Sequence, residues 1–323
     1  MKAIIYTKYG SPDVLELKEI DKPVPKESEV FVKVYASSVN SWDWDLLRGR
    51  PVIFRFSGLF KPKYQILGGD VSGEVEKVGE KVKKFNPGDR VFGDLCECGW
   101  GGFAEYVCAD ENSLTLLPDT VTFKEAAAFP QAGAMALQGI KDSGQVKQGQ
   151  NILINGAGGG VGTFAIQLAK YFGVTVTGVD KTEKFDIMKS VGADYVIDYR
   201  KEDFTKNGKH YDLILDVMGH HPILDYKNAL TKEGKYIIVG GSPSLIFKVI
   251  FFGKLITLFS KKQIKILAHK PNKNLSYLAE LFESGKLKPI IKNCYKLEQT
   301  AQALRQIGDG NAIGKIIIEI NHS

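Results

Sequence analysis

The sequence is poor in the residues that build disulfide frameworks and metal clusters. It contains 4 cysteines and 5 histidines among 323 residues. So few cysteines in a chain of this length do not make a disulfide-stapled fold, and reduced thiols are expected. No stretch is repeated or low in complexity, which excludes repeat architectures.

Long apolar runs and dense basic tracts are also lacking. The 43 basic and 37 acidic residues give a net charge of +6 that is spread along the chain. Without an arginine-rich tract, no nucleic-acid partner is expected. Residues 1–6 begin with a strand-like run and lack the apolar core and cleavage site of a signal peptide, so a cytoplasmic location is expected.

A glycine-rich turn is the most informative feature that is present. It lies between a short apolar run at 151–154 and a segment with helical periodicity, and it contains Gly158, Gly159, Gly160, Val161 and Gly162. Without Cβ atoms, backbone N–H groups can approach phosphate oxygens, and the helix N-terminus adds partial positive charge. The spacing predicts a pyrophosphate site where a strand turns into a helix.

A second apolar run over 173–180 ends in Asp180, at the distance from the glycines where dinucleotide-binding proteins place a ribose-binding carboxylate. Strand-like and helix-like segments then alternate, which favours a doubly wound parallel sheet. The predicted strands are 195–197, 211–217, 236–239 and 264–268, and the predicted helices include 184–191 and 224–230.

The first part of the chain has a different pattern. Short strand candidates at 30–35, 73–78, 90–92 and 104–107 are separated by Gly/Pro turns, which predicts an all-β, barrel-like domain. We therefore expect domains at 1–118, 119–270 and 271–323, the last being a helix near 277–281 and a strand near 314–318 that return to the first domain. A cofactor would lie in the cleft between the two domains.

The order of motifs resembles the medium-chain dehydrogenase/reductase superfamily, in particular its zinc-independent, zeta-crystallin-like quinone oxidoreductases. The resemblance covers nearly the whole chain. The matching segments are 39–40 with Asp43 and 48–49, 68–70 with Gly73, 87–91, 102–106, 157–162, 192–194 and 314–315. It implies a GroES-like catalytic domain, a Rossmann domain, NAD(P)(H) as cofactor and a homodimer. It also implies cofactor contacts at Gly219, Gly240 and Lys315.

The residues at the positions that bind zinc in zinc-dependent relatives do not favour a zinc site. Zinc-dependent relatives have a cysteine where this chain has Asn40, and Gly-His-Glu where it has Gly68, Gly69 and Asp70. Catalytic zinc requires about three protein ligands, so no zinc is expected. Without a metal, reduction of quinones or α,β-unsaturated carbonyls is favoured over reduction of simple ketones, because the developing charge is delocalised.

Three residues are candidates for the reacting centre. Asn40 could orient the nicotinamide or donate to a substrate oxygen, Asp43 could support the same loop, and Tyr64 could donate a proton. Asn40 also has a structural interpretation as a turn residue. Trp42, Trp44 and Tyr64 could wall an aromatic substrate pocket or form part of the core.

The sequence contains signals for both NADH and NADPH, so the choice between the two cofactors stays open. Asp180 favours a free ribose 2′-hydroxyl and hence NADH. Lys184 and Tyr199 match positions that hold the 2′-phosphate in NADPH-using relatives.

Residues 245–259 form an apolar segment interrupted by Lys248 and Lys254, too short to be a membrane span of about 20 residues. It is interpreted as a lid over the substrate site, a dimer contact, or a helix lying on a membrane surface.

Two further hypotheses remain open for the function. One is a non-catalytic NAD(P)H-binding protein with a structural or sensing role. The other is an alcohol dehydrogenase that recruits a metal through Asp43 and Asp70.

Overall fold

The computed structural model describes residues 1–51, 55 and 58–322. The chain forms two compact units, each built from discontinuous segments. The first unit comprises Met1–Ala134, Lys270–Gly285 and Ile291–Ser323, and the second comprises Met135–His269 and Lys286–Ile290.

Strands and helices alternate in the middle of the chain, whereas the beginning of the chain consists mostly of strands. The strands are β1 (Lys2–Ile5), β2 (Glu16–Glu19), β3 (Glu29–Val39), β4 (Asp70–Val78), β5 (Arg90–Asp94), β6 (Tyr106–Asp110), β7 (Thr115–Leu116), β8 (Asn151–Asn155), β9 (Thr175–Asp180), β10 (Tyr195–Asp198), β11 (Tyr211–Asp216), β12 (Leu230–Ile238), β13 (Gln263–Ile266), β14 (Ile291–Lys296) and β15 (Lys315–Glu319). The helices are α1 (Ser41–Arg48), α2 (Phe123–Ala127), α3 (Pro130–Leu137), α4 (Gly160–Tyr171), α5 (Phe185–Ser190), α6 (Ile223–Asn228), α7 (Pro243–Phe259), α8 (Leu275–Glu283) and α9 (Thr300–Gly308).

The second unit is built on a parallel sheet with the strand order β10-β9-β8-β11-β12-β13. The chain runs outward from β8 to β10 and then crosses to β11 on the other side of β8, so the strand order reverses between β8 and β11. Open α/β sheets bind ligands at such a switch point, beyond the carboxyl ends of the strands. The central strands β8, β9 and β11 are largely buried, as strands covered on both faces must be. The expected doubly wound sheet is confirmed.

The first unit is mainly antiparallel, with the order β14-β15-β3-β4-β5-β7 and with β6 paired to β3. Strand β3 is its longest element and continues through two buried serines, Ser37 and Ser38, to Val39. Strand β15, near the end of the sequence, pairs with both β14 and β3. The expected GroES-like β domain is confirmed.

One predicted strand is displaced. The alternation over 104–107 predicted a strand, but the regular pairing begins at Tyr106. Ala104 instead forms an isolated bridge with Ala3, and the N–H of Ile4 donates to the carbonyl of Phe103. The strand therefore starts later because the preceding residues are paired with the N-terminal segment.

The apolar segment at 245–259 is helical and lies within α7. Among the described residues, no helix is both long and apolar enough to cross a bilayer. Leu245, Val249 and Gly253, spaced four residues apart, are buried against the core of the second unit. The side chains on the other face of α7 are exposed.

Candidate active site

The glycine-rich turn joins β8 to α4, as predicted. Gly156 has a positive φ of 83°, which favours glycine, and Gly159 caps the helix that begins at Gly160. A Cβ on Gly162 would overlap the carbonyl of Gly156 and lie 2.5 Å from the Cα of Ala157. The first N–H groups of α4 have no acceptor within the helix. The turn thus brings Gly159, Gly160, Val161 and Gly162 together as an anion cradle.

The carboxylate at the end of β9 is not free. Asp180 accepts a hydrogen bond from the Gly158 N–H at 3.0 Å and forms an ion pair with the Lys184 ammonium at 3.2 Å. Both side chains are buried, and the stem of Lys184 lies directly against Gly158. Asp180, which favours NADH, and Lys184, which favours NADPH, therefore form one nearly neutral pair beside the glycines.

The segment after β10 contributes a second charged cluster. The guanidinium of Arg200 is bound by Asp198 at 2.7 Å and by Glu183 at 2.8 Å. The Arg200 side chain, together with the Thr182 hydroxyl, holds the pKa of Asp198 below its ordinary value. Tyr199 is exposed next to this cluster. Arg200 is thus committed to two carboxylates, while Tyr199 is accessible.

Gly219 and Gly240 follow β11 and β12 at the switch-point edge, where the Gly219 N–H donates to the Gly240 carbonyl at 3.0 Å. A Cβ on Gly219 would lie 2.9 Å from a carboxyl oxygen of Asp216. Asp216 is fully buried, accepts hydrogen bonds from Asn155 and Tyr236, and has a pKa raised by burial. Asp216 was not among the predicted site residues, although an acidic residue that ends an apolar run was a usable signal.

The neighbouring His220 and His221 are anchored through their backbone. Both N–H groups donate to the hydroxyl of Tyr226, at 3.1 and 3.3 Å. Burial lowers the pKa of His221. The His220 side chain is exposed.

In the first unit, Asp70 is the centre of a buried polar network. Its Oδ2 accepts hydrogen bonds from Ser38 Oγ (2.6 Å), Asn40 Nδ2 (2.9 Å) and Lys315 Nζ (3.2 Å), and its Oδ1 accepts one from the Gln131 N–H (2.9 Å). Lys315 also donates to Asn40 Oδ1 at 2.6 Å. Burial raises the pKa of Asp70, and the Lys315 ammonium opposes that rise. These contacts unite residues from β3, β4 and β15.

The side chains in this network are almost inaccessible to solvent. Those of Lys315 and Asp70 are 2% and 0% exposed. An isolated buried charge is costly, so the ammonium and the carboxylate depend on each other and on the hydrogen bonds around them. Asp70 was recognised only as part of a motif, and the sequence could not show its contact with a residue 245 positions away.

Asp43 supports the loop that carries Asn40. Its two carboxylate oxygens accept the N–H of Asn40 at 2.8 Å and the N–H of Gly68 at 2.9 Å. The side chain is fully buried, and desolvation raises the pKa of Asp43 to about 7. Asp43 therefore positions Asn40 and Gly68 through backbone hydrogen bonds.

The aromatic candidates pack on the apolar core of the first unit. Trp42, Trp44 and Tyr64 are partly buried against it. Trp44 lies against Gly308 of α9, where a Cβ would overlap its ring. The Lys63 ammonium lies 5.1 Å from the centre of the Tyr64 ring. The structure brings Asn40 and Asp43 together, and it places Tyr64 beside the same core with a partly accessible side chain.

The described residues contain no group of three or more histidine, cysteine or acidic side chains arranged to hold a metal ion. Cys96 and Cys98 have free thiols, and burial raises the pKa of both. The Cys96 sulfur accepts a hydrogen bond from the Gln131 amide at 3.3 Å. Both thiols are half-buried.

Comparison with known proteins identifies the family. Residues 26–119 match the alcohol dehydrogenase GroES-like domain, and residues 191–318 match the family of zinc-binding dehydrogenases. The chloroplastic quinone-oxidoreductase QR1 of Triphysaria versicolor is 35% identical over 99% of this chain and 98% of its own length. The chloroplastic NADPH-dependent alkenal/one oxidoreductase of Arabidopsis thaliana is 32% identical over 98% of this chain and 79% of its own length.

A solved structure agrees with these relatives. The quinone oxidoreductase from Coxiella burnetii superposes with a TM-score of 0.90 at 30% identity and covers 99% of both chains. The chain therefore belongs to the quinone oxidoreductases of the medium-chain dehydrogenase/reductase superfamily and is an oxidoreductase enzyme.

Proposed function

We propose that this enzyme transfers hydride from NADPH to quinones and α,β-unsaturated carbonyl compounds, and that it needs no metal to do so. The buried cluster of Asn40, Asp70 and Lys315 carries this proposal. The names of the two relatives, a quinone oxidoreductase and an alkenal/one oxidoreductase, support the same substrate classes.

The donor set at this cluster does not fit zinc, although one matching family is described as zinc-binding. The amide oxygen of Asn40 and Oδ2 of Asp70 both accept hydrogen bonds from the Lys315 ammonium. A metal ion would have to share these oxygens with a buried positive charge. Gly69 provides no side-chain ligand, and zinc prefers cysteine, histidine or carboxylate ligands. The ammonium therefore supplies the positive charge of this cluster.

Such a cluster suits conjugate reduction. The bound nicotinamide would supply the hydride, and the negative charge that develops on the substrate would spread over an enolate or quinone oxygen. Asn40 Nδ2 carries two hydrogens and donates one of them to Asp70. We assign the second hydrogen to the substrate oxygen or the nicotinamide carboxamide. One such preorganised donor contributes on the order of 3 kcal/mol to transition-state stabilisation.

Lys315 and Asp43 fix that donor. The Lys315 ammonium holds the Asn40 oxygen, which sets the orientation of the amide, and Asp43 holds the Asn40 backbone N–H. Both are positioning residues, because neither needs to contact the substrate. Preorganisation of this kind lowers the activation barrier because no dipole has to reorient during the reaction.

The pair of Asp180 and Lys184 supports NADPH as the preferred cofactor. Asp180 alone would repel a 2′-phosphate, but its charge is offset by the Lys184 ammonium at 3.2 Å. A 2′-phosphate approaching this pair would meet an ammonium that can donate a charge-assisted hydrogen bond. The exposed Tyr199 offers a further hydroxyl nearby in sequence. One relative is named as NADPH-dependent, which agrees with this preference.

The test measures oxidation of NADPH and of NADH by the purified protein, with a chelator present, against one benzoquinone and several enones. We expect NADPH to be consumed at the same rate with and without the chelator, and NADH to be consumed more slowly. Inactivation by the chelator, with recovery on adding zinc, would instead establish the metal-dependent alcohol dehydrogenase. Tight NADPH binding without turnover of any acceptor would establish the non-catalytic binding protein.

A further inference from the structure

Helix α7 leaves a large apolar surface uncovered. Phe247, Phe251, Leu255 and Leu258 are all at least half exposed, and Leu258 is 76% exposed. We call these four residues the apolar face of α7. The rings of Phe247 and Phe251 contact each other, with centroids 4.3 Å apart. Contiguous exposed patches of this kind usually mark an interaction site.

The helix is held firmly from its other side. Gly253 allows close approach to β13, since a Cβ there would lie 2.7 Å from the carbonyl oxygen of Ile264. The Ser242 side chain caps the N-terminus by accepting the Leu245 N–H. Because Leu245, Val249 and Gly253 face the sheet, the apolar face of α7 points away from the unit along the whole helix. The exposure is thus a fixed property of the fold.

Lysines border this apolar face. Successive residues of a helix are rotated by about 100° around its axis. Seen down this axis, Lys254 lies on one side of the apolar face and Lys248 lies on the other. Both lysines are exposed, and neither forms an ion pair within the part of the chain that the structure describes. The helix contains no acidic residue, and Lys261 follows its end. Three further exposed apolar side chains, Ile250, Phe252 and Phe259, lie beyond the lysines. The uncovered surface of α7 is therefore apolar with two unpaired cations within it, which matches an anionic, apolar surface.

We propose that the apolar face of α7 binds the surface of a bilayer that contains anionic lipids. Phe247, Phe251 and the two leucines would enter the boundary between headgroups and acyl chains, while Lys248 and Lys254 would extend to lipid phosphates. A second copy of the chain fits less well, because a symmetric contact through this face would bring four lysines together without a carboxylate from either helix. The helix lies along the bilayer, since its opposite face is buried in protein.

The experiment uses the full chain and sedimentation with vesicles, and it requires no turnover. One set of vesicles is phosphatidylcholine alone, and the other is an equal mixture of phosphatidylcholine and phosphatidylglycerol. We expect binding to the mixed vesicles, weakened by added salt. Replacing Lys248 and Lys254 by glutamine should lower the partition coefficient about five-fold per lysine, because one basic residue near an anionic surface contributes about 1 kcal/mol.

A matched pair of variants isolates the apolar contribution. Leu255→Glu changes a side chain on the apolar face that is 50% exposed, and Leu116→Glu makes the same change on β7 at 55% exposure. Leu255→Glu should abolish vesicle binding, and Leu116→Glu should leave it unchanged. NADPH binding and thermal unfolding of both variants verify that they are folded.

Three results would overturn the proposal. The first is absence of wild-type binding to the mixed vesicles. The second is equal loss of binding in the Leu255→Glu and Leu116→Glu variants. The third is a Leu255→Glu variant that still binds vesicles but has a different oligomeric state, measured by sedimentation velocity. That result would mean that the apolar face is a contact between copies of the chain.

Discussion

Removal of the Lys315 ammonium tests the buried network most directly. In Lys315→Met, Asp70 keeps its hydrogen bonds from Ser38 and Gln131 but loses the cation at 3.2 Å, and the Asn40 oxygen loses its donor. Leaving one charge of a buried pair without its partner costs about 3–5 kcal/mol. This is a large part of the total stability of a domain, about 5–15 kcal/mol.

Urea unfolding followed by tryptophan fluorescence measures this cost. The 3 tryptophans, Trp42, Trp44 and Trp100, all belong to the first unit, so their emission reports on the unit that contains the network. The double variant Asp70→Asn/Lys315→Met contains neither charge. We expect it to be more stable than the sum of the two single changes predicts, by at least about 2 kcal/mol.

The pH dependence gives a second readout. Without the ammonium, the pKa of the buried Asp70 carboxyl rises further, because the Lys315 charge is the largest effect that opposes desolvation. The folded protein then binds a proton more tightly than the unfolded chain does, so the stability of Lys315→Met should fall as the pH rises. A cost below about 1 kcal/mol for Lys315→Met, or additive effects in the double variant, would refute the coupled network.

Three further predictions concern cofactor binding and pH. Lys184→Met should raise the KM for NADPH about ten-fold or more and should change the KM for NADH little. Lys189→Met, on the exposed side of α5, should change neither KM. Equal shifts for both cofactors in Lys184→Met would contradict a 2′-phosphate contact. Gly162→Ala should abolish cofactor binding measured by fluorescence titration, because its Cβ would overlap the Gly156 carbonyl. Burial raises the pKa of Asp43 to about 7 from 3.8, so the folded state binds the extra proton, and the free energy of unfolding should fall between about pH 4 and pH 7. Urea unfolding of Asp43→Asn should show a flatter pH profile, and an unchanged profile would assign the titration to another group.

The parts of the fold that depend on local sequence were predictable. The turn from β8 into α4 follows from glycines placed between an apolar run and a helical repeat, and β9 follows from alternation that ends in Asp180. Both signals span fewer than about 30 residues, the length of one βαβ unit. The family and the fold class predicted from these motifs are confirmed.

The contacts that define the site were not predictable in the same way. Lys315 was assigned to the cofactor from the family resemblance, and nothing in the sequence indicated that its ammonium lies between Asn40 and Asp70. Asp180 and Lys184 were treated as competing signals for two cofactors, and they form one ion pair. In each case the side-chain partner is decided by three-dimensional packing, which composition and spacing do not encode.

Other expectations stay predictions. Three interpretations of the helix at 245–259 were open, because an apolar sequence predicts contact with an apolar partner but does not identify that partner. The homodimer, the cytoplasmic location, the absence of zinc and the roles of Tyr64 and Tyr199 likewise await measurement.

The position of β15 has a consequence for synthesis of the protein. This strand fills the place between β14 and β3, so the sheet of the first unit stays open until residues 315–319 leave the ribosome. The strands of the second unit all lie between 151 and 266 and can pair earlier, since domains generally fold as they emerge. Lys315 is the first residue of the closing strand, so the strand that completes the sheet also brings the countercharge for Asp70. A chain interrupted before this strand would keep an ordered parallel sheet while its Asn40 amide lacked the ammonium that orients it.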